Sequence, residues 1–274
     1  SGGQVLFRGR DLLAASPAEL RRLRREIQIL FQDPFGSLNP RLTVGRAIRE
    51  VLEVHRIASG AAARERTGDL LATVGLSAAD GGRYPHQFSA GQRQRISIAR
   101  ALAVSPRFLV ADEPTSSLDV SSQAQIVSLL VRLREERSLS YLLITHNLAI
   151  VSRVAARLGV LYLGRMVEEG RVAEVLREPL HPYTAALLAS VPSGDPARRR
   201  KAPPLPGEIP SALRRPPGCA FHPRCPEAGP RCRVSPPREV SPSPGRTVAC
   251  HLHDGGTEHP GAPPAGAPSH RASP

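Results

Sequence analysis

The stretch that decides the fold is Arg107-Phe-Leu-Val-Ala-Asp-Glu-Pro-Thr-Ser-Ser-Leu-Asp119. Four uncharged residues, 108–111, run directly into Asp112 and Glu113. An uninterrupted apolar run that ends in charge and proline is typical of a strand buried on both faces of a parallel sheet. Ligands of such sheets bind beyond the carboxyl ends of the strands, so we expect both acids at the mouth of a site. One carboxylate can hold Mg²⁺ and the other can accept a proton from water, although two solvated acids at a strand end explain these residues equally well.

Length and composition indicate one sizeable core with a small appendage, since the chain has 274 residues of which 41% are hydrophobic. No stretch approaches the length of a membrane span and the start carries no signal-peptide pattern. These features predict a cytosolic protein and leave docking onto a membrane partner open. The net charge of +13 is compatible with nucleic-acid or lipid binding. The arginines are spread along the chain, however, and solvated faces are the favoured interpretation.

The only lysine of the chain is Lys201. A P-loop, G-x-x-x-x-G-K-[ST], needs a lysine that reaches the β and γ phosphates of a nucleotide. Lys201 lies in Arg-Arg-Arg-Lys-Ala-Pro-Pro, which is not such a loop. These 274 residues therefore contain no Walker A motif.

Upstream of the central stretch, residue patterns predict two strands around a basic helix. Alternation over Ser1–Asp11 predicts a strand, and a serine followed by proline predicts a helix over Pro17–Arg25. The second strand, Ile27–Phe31, leads to Gln32 at the same expected sheet edge. The neutral amide of Gln32 could ligate a metal or orient a water, or simply begin a loop.

A long helical region separates these strands from the central stretch. Residues 35–40 are predicted as loop, and residues 43–103 as mainly helical from their apolar spacing. Within this region Ser89 is a natural N-cap, and Gly91 follows at the start of the helix. A helix N-terminus with a small residue can bind phosphate, although an ordinary capped helix is the commoner explanation.

Downstream of the central stretch, Asp119 is predicted to cap a helix, and Tyr141–Thr145 is predicted as another buried strand. This strand ends at His146, on the sheet edge expected for Glu113. The imidazole could contact a γ-phosphate or position a water, although a lone histidine at a strand end is more often structural. Gly159–Gly170 is predicted as a hairpin.

The composition changes past about Pro179, where proline becomes dense, and all four cysteines follow: Cys219, Cys225, Cys232 and Cys250. Structural disulfides are not expected in a cytosolic protein. Four thiolates suffice for zinc or a [4Fe–4S] cluster, but the short C-x2-C pairs of zinc folds are absent. His222 and His251 are alternative ligands, and four free thiols remain a further option. Residues 254–274 are predicted to be a disordered tail.

Five segments resemble, in order and spacing, the motifs of an ATP-binding-cassette (ABC) ATPase. They are Gln32 as Q-loop, residues 88–95 as signature motif, residues 110–114 as Walker B, residues 117–119 as D-loop and Thr145-His146 as switch histidine. Further details resemble the subfamily that energises oligopeptide, dipeptide and nickel importers. They are residues 31–41, residues 84–89, His181-Pro182-Tyr183 and the cysteine-bearing tail.

The resemblance implies a role for each matching residue at an ATP and Mg²⁺ site. Asp112 would hold Mg²⁺, with Gln32 linking the metal to the membrane subunits. Glu113 would polarise the attacking water, and His146 would sense the γ-phosphate. The remaining cofactor-binding residues would act on ATP across a dimer interface: Ser89, Gly91, Gln92 and Asp119. For the four cysteines the resemblance favours a [4Fe–4S] cluster over Zn²⁺.

Two features depart from the family pattern. The signature reads Ser-Ala-Gly-Gln instead of Ser-Gly-Gly-Gln, and the methyl group of Ala90 restricts the backbone near the phosphate path. The segment that should carry Walker A and an aromatic adenine stacker is expected to precede Ser1. Without it, the chain is expected not to bind ATP in its own site in the usual way.

The expected fold is α/β, with a P-loop NTPase-like (RecA-like) parallel sheet that is incomplete at its N-terminus. Residues 1–33 and 104–172 would form the ATPase core, residues 34–103 the inserted ABC helical subdomain, and residues 173–253 a small cysteine-containing extension.

The implied function is the ATPase subunit of a peptide importer at the cytoplasmic face of the inner membrane. Its partners would be a second ABC ATPase, two permease subunits and an extracytoplasmic substrate-binding protein, with no nucleic acid. A non-hydrolysing partner that only lends its signature motif is the first alternative. A soluble ABC protein acting on nucleic acid is the second, suggested by the positive charge.

Overall fold

The computed structural model of the protein describes residues 3–191, 205–211 and 213–255. It consists of two compact units, Ser1–Val154 and Ala155–Pro274. Most of the predicted disordered tail, from residue 256 on, lies outside the described residues.

The first unit is built on a parallel sheet of three strands in the order β3-β4-β5. These are Ile27–Leu30, Phe108–Asp112 and Ser140–Ile144. Leu109 and Ala111 of β4 are fully buried against helices of the largest apolar cluster. The parallel sheet agrees with the sequence prediction, and β5 begins and ends one residue before the predicted strand Tyr141–Thr145.

The prediction that β4 and β5 are buried on both faces is wrong for the described residues. Leu142 is 50% exposed and Ile144 is 47% exposed, while alternate residues of β4 are only partly buried. Helices cover the face that carries Leu109, whereas the described part of the chain leaves Leu142 and Ile144 about half exposed. An apolar run indicates which residues can be buried. Their burial also requires another layer of helices or strands that packs against that face of the sheet.

The chain start also differs from the predicted single strand over Ser1–Asp11. Leu6–Phe7 (β1) and Arg10–Asp11 (β2) form a small antiparallel hairpin. The turn between them has positive φ at Arg8 (52°) and Gly9 (77°). Glycine adopts this conformation readily, which explains the reversal. The following helix, α1 (Pro17–Glu26), starts at the predicted proline with Ser16 as N-cap.

The region predicted as helical, residues 43–103, contains α3 (Val44–Val54), α4 (Gly60–Thr73) and α5 (Ala90–Leu102), and α2 (Pro34–Ser37) precedes it. The prediction of a loop over 35–40 is wrong for its first residues, since α2 is a single helical turn that begins at a proline. Two further helices, α6 (Val120–Arg137) and α7 (Leu148–Val154), flank β5 in the chain.

The second unit is built on an antiparallel sheet in the order β6-β7-β9-β8. The predicted hairpin is confirmed as Arg157–Tyr162 (β6) and Arg165–Arg171 (β7). Glu239–Ser243 (β8) and Arg246–Ala249 (β9) complete the sheet. Three short helices belong to this unit: α8 (Val172–Arg177), α9 (Pro182–Ala189) and α10 (Pro230–Val234). A small core forms around Val160, Tyr162, Val167 and Phe221.

Candidate functional site

Glu113 and His146 meet at the carboxyl edge of the parallel sheet. Asp112 pairs with Ile144 in the register of β4 and β5, so the residues that follow both strands emerge side by side. The backbone N–H of Glu113 donates to the carbonyl oxygen of Ile144 at 2.9 Å. Nδ1 of His146 lies 2.8 Å from Oε1 of Glu113. The structure thus brings together the two residues predicted at this edge.

The backbone at Glu113 has a φ of +46°, which is rare for a residue other than glycine. Ser116 holds this turn, since its backbone N–H and its hydroxyl both donate to the carbonyl oxygen of Glu113, at 3.2 and 3.1 Å. Pro114 and Thr115 inside the turn are buried. Such conformations cluster at functional sites, where the surroundings hold them in place. The supporting role of Ser116 was not predicted from the sequence.

Asp112 and Gln32 lie at the same edge on neighbouring strands. Asp112 is the last residue of β4, and Gln32 follows β3 by two residues and is exposed. Leu30 pairs with Ala111, which aligns the ends of the two strands. No hydrogen bond among the described residues joins Gln32 to Asp112, Glu113 or His146. Carboxylate and amide oxygens suit Mg²⁺, so the donor types at this edge fit the metal.

Ser89 and Gln92 form a reciprocal cap at the start of α5. The Ser89 hydroxyl oxygen accepts from the backbone N–H of Gln92 at 3.3 Å, and Oε1 of Gln92 accepts from the backbone N–H of Ser89 at 3.0 Å. This capping box satisfies two backbone donors at the helix start. The predicted N-cap is confirmed, and it accounts for both residue types without a ligand.

Gly91 allows the N-terminus of α5 to approach that of α6. A Cβ at Gly91 would lie 3.0 Å from Oγ and 3.1 Å from Cβ of Ser122. Ser122 is therefore a second residue that sequence analysis missed, because a contact across 31 positions leaves no local pattern. Two helix N-termini side by side add their partial positive charges.

Asp119 caps α6 as predicted. Its carboxylate accepts from the Ser121 hydroxyl at 2.6 Å and from the Ser122 backbone N–H at 2.9 Å. These hydrogen bonds, from Ser121 first and then Ser122, hold the pKa of Asp119 well below its ordinary value. The side chain thus stays ionised at neutral pH, and its carboxylate is hydrogen-bonded to the first turn of α6.

The four cysteines lie in one neighbourhood of the second unit, and within the described residues none of them forms a disulfide. Burial raises the pKa of Cys225 to about 11 and that of Cys250 to about 12. Cys219, Cys225 and Cys232 each add to the upward shift in the pKa of Cys250, so all four are close enough to interact. Within the described residues, however, no three or more His, Cys, Asp or Glu side chains are arranged to hold a metal ion.

Hydrogen bonds orient the two candidate histidine ligands. Nδ1 of His222 lies 2.9 Å from the carbonyl oxygen of Cys219. His251 has Nδ1 at 2.7 Å from Oδ2 of Asp254 and Nε2 at 2.9 Å from the carbonyl oxygen of Ser235. Both nitrogens of His251 are thus engaged in hydrogen bonds. The contact of His222 involves Nδ1 alone, so its Nε2 stays an alternative donor beside the four thiols.

Comparison with known proteins assigns the chain to a family. The ABC transporter family model matches residues 1–116, and a model of the oligopeptide/dipeptide transporter C-terminal region matches residues 167–232. The chain is 48% identical to the oligopeptide transport ATP-binding protein AppF of Bacillus subtilis over 256 residues, which is 92% of this chain and 77% of AppF. It belongs to the ABC transporter ATPase family, in its oligopeptide/dipeptide importer type.

Two further relatives agree with this assignment. The dipeptide transport ATP-binding protein DppF of Escherichia coli is 44% identical over 258 residues, covering 93% of this chain and 76% of DppF. The dimeric post-hydrolysis structure of the ATP-binding cassette MJ0796, bound to ADP and Pi, is 30% identical with a TM-score of 0.56. It covers 63% of this chain and 74% of MJ0796. The α/β fold with a parallel sheet is thus that of a P-loop NTPase, and the chain is an ABC-type ATPase.

The expectation of a missing upstream segment stays a prediction, because the ABC transporter match begins at residue 1. None of the helices in the described ranges combines the length and apolarity needed to cross a membrane.

Proposed function

We propose that this ABC ATPase drives peptide import and that Glu113, oriented by His146, acts on the attacking water. The observation that carries the proposal is the 2.8 Å contact between Nδ1 of His146 and Oε1 of Glu113. Glu113 is mostly shielded, with a side chain 20% exposed, whereas the His146 side chain is 79% exposed. A shielded carboxylate can take the proton of a water while an exposed imidazole reaches the phosphate.

Asp112 and Gln32 are proposed to hold Mg²⁺. When bound, the metal would neutralise charge on the phosphates of ATP. The chain's own contribution is to fix oxygen donors on neighbouring strand ends, next to Glu113. This arrangement agrees with phosphoryl transfer as a reaction that depends on positioning and charge stabilisation.

Ser89, Gly91, Gln92 and Asp119 are proposed to act on a nucleotide held by a second ATPase subunit. Support comes from the contact of Gly91 with Ser122, which joins the N-termini of α5 and α6. Two convergent helix N-termini favour an anion. We propose that the further partners are two permeases and an extracytoplasmic binding protein, and that the chain is peripheral to the cytoplasmic face of the inner membrane.

The proposal is tested with Glu113→Gln in the assembled transporter. We expect ATP turnover to fall by about a hundredfold or more, because the amide cannot accept the proton, while ATP binding persists. Glu135→Gln is the matched control, since Glu135 is exposed on α6. Turnover in Glu113→Gln equal to that of the control would contradict the assignment.

A second candidate function is that of a partner subunit that only contributes its signature motif to a second ATPase. The adjoining N-termini of α5 and α6, where Gly91 meets Ser122, support it. Ser89→Arg distinguishes the two functions, because it introduces bulk at the start of α5 without touching Glu113. Loss of turnover in Ser89→Arg without loss in Glu113→Gln would favour the lending role.

The four cysteines are proposed to hold a [4Fe–4S] cluster with a structural or regulatory role. Four neighbouring thiols are the donor set that such clusters use. The test is iron, sulfide and zinc analysis of anaerobically purified protein, with Cys250→Ser as the comparison. Stoichiometric zinc would replace the cluster assignment, and protein free of both metals would leave four free thiols.

A further inference from the structure

A cavity of about 650 Å³ lies at the amino ends of the parallel strands, at the other end of the sheet from Glu113. Phe108 and Ser140, the first residues of β4 and β5, line it. Since a strand rises about 3.3 Å per residue, the cavity lies about 13 Å from the other end of β4. Its volume is in the range of small-molecule sites, and it is separate from the proposed ATP site.

The inner wall of the cavity is apolar. Leu102 is 1% exposed and Leu139 is 2% exposed, so both are anchored in the core. The rings of Phe7 and Phe108 lie 6.2 Å apart at an interplanar angle of 57°. Aromatic rings in this arrangement offer faces and edges on which a further flat group can pack.

The remaining lining is basic, with Arg8, Arg107 and Arg137 contributed by three different segments. Arg8 and Arg107 share a single carboxylate, Glu26, at 3.2 and 3.7 Å. Arg137 donates instead to the neutral hydroxyl of Thr73 at 3.2 Å. Among the described residues, Glu26 is the one carboxylate paired with any of these three guanidinium groups, which leaves two positive charges at the cavity without a counter-charge.

We propose that this cavity binds a phosphate monoester carried on a flat apolar group. The phosphate has a charge of about −1.5 to −2 at neutral pH, which matches the two uncompensated charges. Guanidinium forks bind phosphate oxygens in pairs, and two residues with hydroxyl side chains, Ser105 and Ser138, also line the cavity. The apolar group packs against the phenylalanine wall.

The test is titration of the full chain with 1-naphthyl phosphate, with the heat of binding measured by isothermal titration calorimetry. Binding is expected to be at least about tenfold tighter than that of inorganic phosphate, which lacks the apolar group, or of 1-naphthol, which lacks the phosphate. Arg107→Gln and Arg8→Gln are expected to weaken binding by about tenfold each, since each loses charged hydrogen bonds. Both side chains are more than half exposed, so folding is preserved.

Arg66→Gln is the matched control, because Arg66 is exposed on α4 and does not line the cavity. Equal binding by the control and the wild type supports the site. The proposal is overturned if binding is not saturable up to about 1 mM. It is equally overturned if Arg107→Gln binds as tightly as Arg66→Gln, since the ester would then occupy another site, including that for ATP.

Discussion

At the scale of single residues, Gly218 is, among the glycines that the structure describes, the position least able to accept a side chain. It has a φ of +67°, and a Cβ there would lie 2.4 Å from the carbonyl oxygen of Cys232. We expect Gly218→Ala to lower the free energy of unfolding by about 3 kcal/mol, through backbone strain and overpacking together. Denaturant unfolding followed by circular dichroism measures the change.

Gly207→Ala separates the two causes. Gly207 has nearly the same φ, +71°, but the nearest atom to its Cβ would be 3.8 Å away. Only the backbone cost, about 1 kcal/mol, is expected there. Equal losses in the two variants would mean that the close approach to Cys232 contributes nothing.

His181 gives a second prediction, on pH. Burial is the main cause that lowers its pKa to about 4. Because the native state disfavours the charged imidazole, the unfolded state binds more protons as the pH falls below about 6.5. The stability contribution is therefore complete above about pH 6.5 and is lost, by about 3 kcal/mol, as the pH falls to about 4.

His181→Asn is the variant for this test, since asparagine can still accept the hydrogen bond from Tyr183 N–H that caps α9. We expect unfolding measured from pH 7 to pH 4 to show a shallower dependence in the variant. Identical pH profiles would contradict the assignment to His181.

At the scale of elements, one buried ion pair connects the strands of the second unit. The Glu168 side chain on β7 is 0% exposed and accepts from Arg246 of β9 at 2.9 Å. Glu168 also accepts from the backbone N–H groups of Leu180 and His181. Arg246 in turn donates to the carbonyl oxygen of Glu178. The pair therefore fixes both the sheet and the segment that leads into α9.

We expect Arg246→Met to destabilise the protein by about 3 kcal/mol, because it leaves a buried carboxylate without its cation. Arg157→Met is the matched control, since its ion pair with Glu169 is about half exposed and is expected to contribute less than about 1 kcal/mol. Denaturant unfolding compares the two. A double variant that also carries Glu168→Gln should recover part of the loss, and no recovery would argue against an uncompensated charge.

Local patterns predicted the elements that build the candidate site. The N-caps Ser89 and Asp119 are encoded within three residues of the helix start, and the meeting of Glu113 with His146 follows from the rule for parallel strand ends. The Glu168–Arg246 pair joins positions 78 apart, and strands β8 and β9 lie in a proline-rich segment without clear periodicity. The ion pair and the pairing of these strands depend on which distant segments of the chain come into contact, and local periodicity does not reveal those contacts.

At the scale of the whole molecule, the dominant property is the net charge of +13. Excess positive charge attracts any polyanion at low ionic strength, whereas at physiological salt charges more than about 8 Å apart are screened. We expect random-sequence DNA to bind weakly below about 50 mM salt and to be released by about 150 mM, as measured by fluorescence anisotropy. Binding that persists at physiological salt would instead support the alternative function on nucleic acid.

Helix α1 decides whether this charge is spread or concentrated, because it carries a dense group of exposed arginines: Arg21, Arg22, Arg24 and Arg25. If α1 were a nucleic-acid interface, the Arg21→Gln/Arg25→Gln variant would lower the slope of log K against log salt by about two, one for each lost phosphate contact. We expect instead the same small change as in Arg64→Gln/Arg66→Gln on α4, since spread charges contribute equally wherever they lie. A larger effect on α1 would make it a specific docking surface for a polyanion.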